Sequence, residues 1–268
     1  MREVPAAGGT DDARARGAGA RRERGGGGGD GRSSPDGAVA AIDGLVRRYR
    51  LPAAAAARLL ALIELLEHDE HAPSAVRDAP AAVDVHVADS LVALKLPEVS
   101  QARRIADLGS GAGFPGLPLA IALPEARLTL IEANAHKAAF LARAVAVTSA
   151  TGVTVINARV EDWTEGLGTC DLVVARALAP LPVVVEYAAP LLRVGGALVA
   201  WRGRRDPEAE TAGAAAAAEL GLEPAPPLRV HPYPRAEHRY LHLMSKVTAT
   251  PARFPRRSGM ALKRPLGR

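Results

Sequence analysis

Residues 105–118 read IADLGSGAGFPGLP, a short apolar run that contains an aspartate and leads into closely spaced glycines. Gly109, Gly111 and Gly113 stand at alternate positions after this run, and Asp107 comes just before them. Because glycine has no side chain, the backbone of such a turn can approach a ligand closely. A helix beginning next to the turn favours polar or anionic groups at its N-terminus. The stretch therefore predicts a ligand-binding turn between a strand and a helix.

Acidic residues at the ends of the next two predicted strands narrow the choice of ligand. Glu132 ends LTLIEAN, where its carboxylate can accept hydrogen bonds from ribose hydroxyls. The third strand is expected to end at Val160, Glu161 and Asp162, a site suited to the edge of an adenine. Acidic residues so placed indicate a nucleoside-containing cofactor.

Two cofactors compete for this pattern, a nicotinamide dinucleotide and S-adenosylmethionine. The dinucleotide fingerprint is G-x-G-x-x-G, with the pyrophosphate on the helix N-terminus. Here the glycines follow G-x-G-x-G, and Phe114 and Pro115 occupy the start of the helix. An aspartate directly ahead of that spacing resembles the first motif of seven-stranded methyltransferases. We therefore favour S-adenosylmethionine.

Five short runs rich in Val, Ile and Leu alternate with helical patterns from residue 103 onward. Such strands between helices are typical of a parallel sheet covered on both faces. The predicted fold class is therefore α/β, and with the aspartate and glycine motif it resembles the Rossmann-like seven-stranded sheet of class I methyltransferases. Two closely spaced runs after residue 228 leave no room for a crossover helix, so we expect one of them to enter antiparallel. The five runs are RRIADLG, RLTLIEA, VTVINAR, CDLVVARA and GGALVAWRG.

The chain before residue 101 divides into two parts. Residues 1–36 are rich in Gly and Arg with almost no large apolar side chains, which predicts disorder; an RNA-binding arm is the functional alternative. Residues 37–100 predict a small helical domain, with helices over about 38–67, where Pro52 suits a first helical turn, and about 80–94. We place the methyltransferase domain at 101–250 and a basic tail at 251–268.

Composition limits the compartment and the partners. The 268 residues carry a net charge of +5, which moderately favours a polyanionic partner. Cys170 is the single cysteine, so no intramolecular disulfide can form and a reducing cytoplasm is expected. No apolar run is long enough for a bilayer, and no cysteine-rich metal site exists. We expect a cytoplasmic protein without membrane or metal partners, and nothing requires more than a monomer.

The segment IADLGSGAGFPGLPLAIALPEARLTLIEANAHKAAFLARA resembles the core of the RsmG (GidB) family, bacterial small-subunit rRNA guanine-N7 methyltransferases. Flanking motifs agree in order: HVADSL with His86, Asp89 and Ser90, then ARVEDW, DLVVARALAPL, GGALVAWRG and TPARFPRRSGMALKRPL. The resemblance spans roughly 80–268. It implies S-adenosylmethionine as cofactor, and 16S rRNA or the small ribosomal subunit as partner. It also implies a cofactor pocket of Gly109, Phe114, Val160, Glu161 and Arg176. Strand-end placement adds Glu132, and the aspartate and glycine motif adds Asp107, Gly111 and Gly113.

The chain departs from the family pattern in two places. A W-N-x-x-x-N-L-T segment usually precedes H-x-x-D-S-L, but this chain has ELLEHDEHAPSAVRDAP there. The lysine of the family's L-K-G is Arg202 here, which replaces a point charge with a planar fork. The first departure leaves the role of the helical region open, and the second changes a possible contact to phosphate or guanine.

The resemblance implies methylation at guanine N7 in the decoding-region loop of 16S rRNA. Since N7 carries a free lone pair, in-line methyl transfer needs no general base, and Arg176 and Arg202 are the candidates for orienting the guanine edge or its phosphate. A structural salt bridge is the alternative role for Arg176, and a solvated charge for Arg202. His86 and Asp89 more plausibly form a contact between helix and domain than a metal pair.

The basic tail with Phe254 is interpreted as lining the RNA path or as a solubilising terminus. On the first interpretation, deleting 251–268 raises the Michaelis constant for RNA and leaves cofactor affinity intact. Two other functions stay open for the whole chain. One is a methyltransferase acting on a small molecule or protein, and the other is a non-catalytic rRNA-binding assembly factor.

Overall fold

The computed structural model describes residues 35–267. The Gly/Arg-rich leader predicted to be disordered therefore lies outside the described residues except for Pro35 and Asp36, which begin the first helix. The helices are α1 Pro35–Tyr49, α2 Ala55–His68, α3 Ala79–Ala82, α4 Asp89–Leu91, α5 Pro97–Ser100, α6 Gly116–Ala122, α7 Ala135–Thr148, α8 Leu181–Ala188, α9 Pro207–Leu220 and α10 Met260–Lys263.

The N-terminal helices differ in detail from the sequence prediction. The helical pattern over 38–67 is interrupted at Arg50, whose φ of 52° is incompatible with a continuing right-handed helix. Pro52 was expected in a first helical turn but lies in the loop before α2. The predicted helix at 80–94 is continuous yet irregular. A π-helical turn, Val83–Ala88, joins α3 to α4, and a 3-10 turn, Val92–Lys95, follows.

Within residues 35–267, eight strands form one sheet. They are β1 Arg104–Leu108, β2 Arg127–Ile131, β3 Val153–Ile156, β4 Cys170–Arg176, β5 Leu192–Arg202, β6 Leu222–Pro224, β7 Leu228–Arg229 and β8 Tyr240–Lys246. Seven of them follow the order β3-β2-β1-β4-β5-β8-β6, and the two-residue β7 pairs with β8 beside this path. The first five strands pair in parallel, whereas β8 runs antiparallel to β5 and β6. The predicted α/β class and the antiparallel entry are both confirmed.

Local sequence features explain where the site-bearing helices start. Asn134 caps α7 because its Oδ1 accepts hydrogen bonds from the backbone N–H groups of His136 and Lys137, at 3.0 and 3.1 Å. Asp206 caps α9 by accepting from the N–H of Ala209 at 3.1 Å, and Pro207 occupies the first helical position. These caps fix the direction in which each helix leaves its strand.

Two apolar clusters cover the two faces of the sheet. One cluster joins the N-terminal helices, through residues such as Ile42, Leu62 and Leu91, to α6, α7 and the sheet. The other packs α8, α9 and the C-terminal segment, including Leu181 and Phe254, on the opposite face. The helical region 37–100 thus shares a core with the sheet.

The sheet also sets the location of the site. The chain builds outward from β1 in one direction through β2 and β3, and in the other through β4 and β5. The carboxyl ends of β1 and β4 therefore flank a topological switch point, where open α/β sheets bind ligands.

Candidate functional site

The glycine turn follows β1 at this switch point. Gly109, Gly111 and Gly113 have φ angles of 63°, 57° and 92°, in the left-handed region that favours glycine. A Cβ at Gly109 would lie 2.4 Å from Leu178 Cδ1, and one at Gly113 would lie 2.5 Å from Leu117 Cδ1. The backbone conformation therefore favours glycine at all three positions, and at Gly109 and Gly113 a side chain would also displace a neighbouring leucine.

Gly116, the first residue of α6, lies against the aspartate of β1. Its N–H donates to Asp107 Oδ2 at 3.1 Å, and a Cβ at this position would lie 2.6 Å from the same oxygen. We expect Gly116→Ala to destabilise the fold by about 1–3 kcal/mol, because this buried site has no room for a methyl group. Urea unfolding measures the effect.

Gly44 provides the matched control for that substitution. It lies within α1, and a Cβ there would meet nothing within 4 Å. Gly44→Ala should therefore stabilise the protein by about 0.5–1 kcal/mol. If the two substitutions shifted stability equally, the close packing at Gly116 would be refuted.

Glu132 follows β2 directly and braces the glycine turn. Its Oε2 accepts a hydrogen bond from the N–H of Gly111 at 3.0 Å, and its Oε1 accepts from the N–H of Asn134 at 2.8 Å. The residue is only 8% exposed. The carboxylate thus ties the glycine turn to the end of β2, and Glu132 also lines the neighbouring cavity.

A cavity of about 250 Å³ opens beside the glycine turn at the carboxyl ends of the strands. It brings together four of the predicted cofactor residues, Gly109, Glu132, Val160 and Glu161. The prediction that Val160 and Glu161 end the third strand is wrong, since β3 stops at Ile156 and Val160–Asp162 form a 3-10 turn. The remaining lining is Ile131, Ala133, Lys137, Ala158, Arg159, Ala177, Leu178, Ala179, Tyr187 and Leu262. We call this space the nucleoside cavity.

Asp107 lies behind the glycine turn and does not line the nucleoside cavity. It is 1% exposed, and within residues 35–267 its Oδ1 has no hydrogen-bond partner. Burial raises the pKa of its carboxyl to about 7, against the lowering effect of the Gly116 N–H. An unpaired buried carboxylate oxygen at a ligand-binding turn fits a cationic ligand group.

Arg176, the last residue of β4, points away from the nucleoside cavity toward the N-terminal helices. One of its Nη1 hydrogen bonds reaches the Val85 carbonyl and another reaches Asp89 Oδ2, both at 3.0 Å. Its guanidinium carbon lies 5.6 Å from the centre of the Phe114 ring. Of the two roles considered for Arg176, the structure therefore contains the salt bridge.

His86 completes this arrangement. Its ring stacks on Phe114, with centroids 4.5 Å apart, and its Nδ1 lies 3.2 Å from Arg176 Nη2. Because arginine only donates, Nδ1 must accept and the proton belongs on Nε2, which lies 2.9 Å from Ser74 Oγ. Burial and the Arg176 charge lower the pKa of His86 to about 4. The histidine is therefore neutral at physiological pH, and Phe114 lies beside it and outside the lining of the nucleoside cavity.

A larger cavity of about 600 Å³ lies on the other side of Ala177, which lines both spaces. Four arginines line it, Arg176, Arg202, Arg204 and Arg239, together with His86, Asp89, Asp206, Trp201, Val76, Val85, Ala177 and Gly203. We call it the arginine cavity. Its predominance of cations suits an anionic ligand.

Asp89 organises the inner wall of the arginine cavity. Asp89 Oδ1 accepts a hydrogen bond from Arg239 Nε at 3.2 Å, whereas Asp89 Oδ2 accepts the bond from Arg176. The backbone carbonyl of Asp89 accepts a hydrogen bond from Trp201 Nε1 at 2.7 Å. Arg202 lies on the strand next to Arg176 and donates to the Ala179 carbonyl at 2.8 Å. The motif residues His86 and Asp89 thus join the helical region to the sheet, as the sequence predicted.

The C-terminal segment packs on the sheet's helices. Phe254 is 8% exposed, and Arg256 Nε donates to Glu186 Oε1 at 2.6 Å. The Gly259 N–H donates to Glu161 Oε1 at 2.8 Å. The interpretation of this segment as a solubilising terminus is therefore wrong, because it forms part of the fold.

Several cavity residues were missed from the sequence. No local sequence motif marks these residues: Tyr187 lies in α8, Arg239 lies just before β8, and Leu262 lies in the C-terminal segment. Within 35–267, no three His, Cys, Asp or Glu residues converge as a metal site requires. In the same range, no helix has the length and apolar character needed to cross a membrane.

Comparison with known proteins gives consistent matches over most of the chain. The model of the GidB family, described as rRNA small subunit methyltransferase G, matches residues 56–225. A Rubrobacter xylanophilus protein named ribosomal RNA small subunit methyltransferase G is 43% identical over 187 residues, 68% of this chain and 72% of its own. A Chloroflexus aggregans protein of the same name is 42% identical, covering 75% of this chain and 85% of its own. A solved Aquifex aeolicus structure titled as a SAM-dependent methyltransferase is 14% identical, with a TM-score of 0.48 over 68% of this chain and 96% of that one.

Proposed function

The chain belongs to the rRNA small subunit methyltransferase G family, and on that premise we propose that it methylates N7 of a guanine in the decoding-region loop of 16S rRNA, using S-adenosylmethionine. The coarser activity, methylation of small-subunit rRNA, follows from the family. The methyl donor, the acceptor atom and the residue roles belong to the proposal.

The observation that carries the proposal is the pairing of two unlike cavities across Ala177. The nucleoside cavity has carboxylates of Glu132 and Glu161 at its walls, and the arginine cavity has four guanidinium groups. A methyl transfer between a nucleoside-bearing donor and a phosphate-bearing acceptor needs two such sites side by side. Their arrangement at the carboxyl ends of the strands supports this reaction.

The residues present fit S-adenosylmethionine. The glycine turn leaves room for close approach, Glu132 is suited to ribose hydroxyls, and Glu161 to the adenine edge. The unpaired Oδ1 of Asp107 suits the cationic part of the donor. When bound, the donor supplies an electrophilic methyl group: N7 forms the new C–N bond, the C–S bond breaks, and its electron pair stays on sulfur.

Substitution of Asp107 tests this fit. We expect Asp107→Asn to weaken S-adenosylmethionine binding at pH 8 by about tenfold or more, because a carboxyl that is ionised above its pKa of about 7 becomes a neutral amide. Folding raises the carboxyl pKa from 3.8 to about 7, so ionisation costs the wild-type protein stability as pH rises through that interval. The variant escapes this cost, so its melting temperature relative to wild type should be higher at pH 8 than at pH 5. Calorimetric titration measures the affinity, and thermal melts at pH 5 and pH 8 measure the difference in melting temperature. An unchanged affinity would show that Asp107 is not part of the cofactor site.

The arginine cavity is proposed to hold the acceptor guanosine. Because N7 has an in-plane lone pair and no proton, the protein need not supply a base. Guanine N7 and O6 form the acceptor pair that arginine reads in a bidentate manner, and phosphate is its other ligand. Arg176 and Arg202 end adjacent strands in this cavity and are proposed to orient the guanine edge or its phosphate.

The acceptor base must expose its N7 edge in order to bind in the arginine cavity. A base within a duplex presents its major-groove edge in a deep, narrow groove, so we propose looped or single-stranded RNA as the target form. A stacked base would have to leave its stack to enter.

Label transfer decides between the proposed substrate class and its alternatives. Purified protein is incubated with methyl-labelled S-adenosylmethionine and with unmodified small-subunit rRNA, unmodified subunits, protein fractions or small-molecule extracts. Label on rRNA or subunits supports the proposal. Cofactor binding with label only on another acceptor would favour the small-molecule or protein alternative, and binding of RNA without transfer would favour an assembly factor.

A further inference from the structure

The C-terminal segment is attached to the wall of the nucleoside cavity on which Glu161 lies. The Gly259 N–H donates to Glu161 Oε1 at 2.8 Å, and the Ser258 hydroxyl donates to the neighbouring Asp162 carboxylate. Val160 and Glu161 line the cavity, so these two bonds place the tail at the rim. Any residue that follows Gly259 closely is therefore held near the bound nucleoside.

A second attachment lies on the other side of the tail. Arg256 makes a two-pronged ion pair with Glu186, which is 2% exposed, and it also donates to the Arg264 carbonyl at 2.8 Å. Tyr187, next to Glu186, lines the nucleoside cavity. Burial, helped by the Glu161 charge, raises the pKa of Tyr187 to about 12, so it stays neutral. The tail is thus anchored at the cavity wall through Glu161 and, through Glu186, to the helix that carries Tyr187.

Leu262 is the tail residue that reaches the cavity. It lines the cavity wall and is 53% exposed, whereas its neighbour Ala261 is 2% exposed and packed in the core. A large apolar side chain held by anchored backbone and left half-exposed at a cavity wall gains stability when an apolar ligand surface covers it.

We propose that Leu262 forms an apolar cover over the adenine end of the bound methyl donor, so that the C-terminal segment is a structural part of the cofactor site. The inference rests on the proposed cofactor. Adenine is the end concerned because the tail is anchored at Glu161, on the wall assigned to the adenine edge. The methionine end of the donor is proposed to lie near Asp107 and the glycine turn, where it does not contact Leu262.

Calorimetric titration of Leu262→Ala tests this role. We expect its Kd values for S-adenosylmethionine and for 5′-methylthioadenosine, a neutral thioether that lacks the aminocarboxypropyl chain, to rise by the same factor of about five. Leu262→Met, which keeps an apolar side chain, should retain wild-type affinity.

Leu228→Ala is the matched control, since Leu228 is 42% exposed on β7 and does not line the nucleoside cavity. Its affinity for both probes should match that of wild type. Equal affinities for Leu262→Ala and Leu228→Ala, or a loss confined to S-adenosylmethionine, would overturn the proposed cover over adenine. Wild-type protein that bound neither probe would instead overturn the proposed cofactor, and the inference with it.

Discussion

Arg176→Ala is expected to lower kcat/KM for RNA methylation by about a hundredfold, the scale of removing one preorganised donor from an active site. Arg176 lines the arginine cavity at the end of β4, where Asp89, Val85 and His86 hold its guanidinium. Because several partners already hold the Arg176 guanidinium, it loses little conformational entropy when the RNA binds. It can therefore orient the acceptor guanosine at a small entropic cost. Steady-state kinetics with unmodified rRNA measure the loss.

Controls separate this positioning role from a structural one. Arg176→Ala leaves Asp89 with Arg239 as its remaining charged partner, so a melting curve must accompany the kinetics. Arg176→Lys keeps the charge but loses the planar fork, and it should recover stability more fully than turnover. Full turnover by Arg176→Ala on its RNA substrate would contradict the proposed role.

Deletion of 251–268 is expected to abolish measurable cofactor binding and to destabilise the fold. Removing Arg256 leaves Glu186, which is 2% exposed, as an unpaired buried charge. Such a loss costs about 3–5 kcal/mol, or roughly 10 °C in melting temperature for a chain of this size. Glu161 loses its Gly259 partner in the same deletion, so the cavity wall is released. Thermal melts and calorimetric titration measure both effects.

Arg253→Ala is the matched control for the tail. It removes the Arg253–Glu219 pair, whose side chains are 62% and 38% exposed, and pairs of this kind contribute about 0–1 kcal/mol. Its cofactor affinity should stay at the wild-type value. If the deletion instead raised only the Michaelis constant for RNA and left cofactor affinity intact, the tail would act on RNA alone, as the sequence first suggested.

Local patterns were sufficient to predict the elements that carry the site. Apolar runs between helical segments predicted the parallel strands, and the short spacing after residue 228 predicted the antiparallel entry of β8. The glycines after β1 predicted a turn in the left-handed conformation that favours glycine, since that preference arises from the backbone at the residues themselves.

Contacts between distant segments were not predictable in the same way. Nothing near Arg176 in sequence shows that Asp89, on an irregular helix 87 positions earlier, holds its guanidinium. The tail reads as basic and solvated, yet Arg256 finds a buried partner on α8. Val160 and Glu161 reach the cavity from a 3-10 turn and not from a strand end, because the chain leaves the sheet at Ile156.

The most direct test of the proposed function is the position of the methyl group on RNA. Unmodified small-subunit rRNA or subunits are incubated with the protein and S-adenosylmethionine, and N7-methylated guanines are mapped by N7-sensitive strand cleavage. We predict one new cleavage site in the decoding-region loop, present with wild type and strongly reduced with Arg176→Ala. Methyl label on the RNA without any new N7 cleavage would contradict guanine N7 as the acceptor.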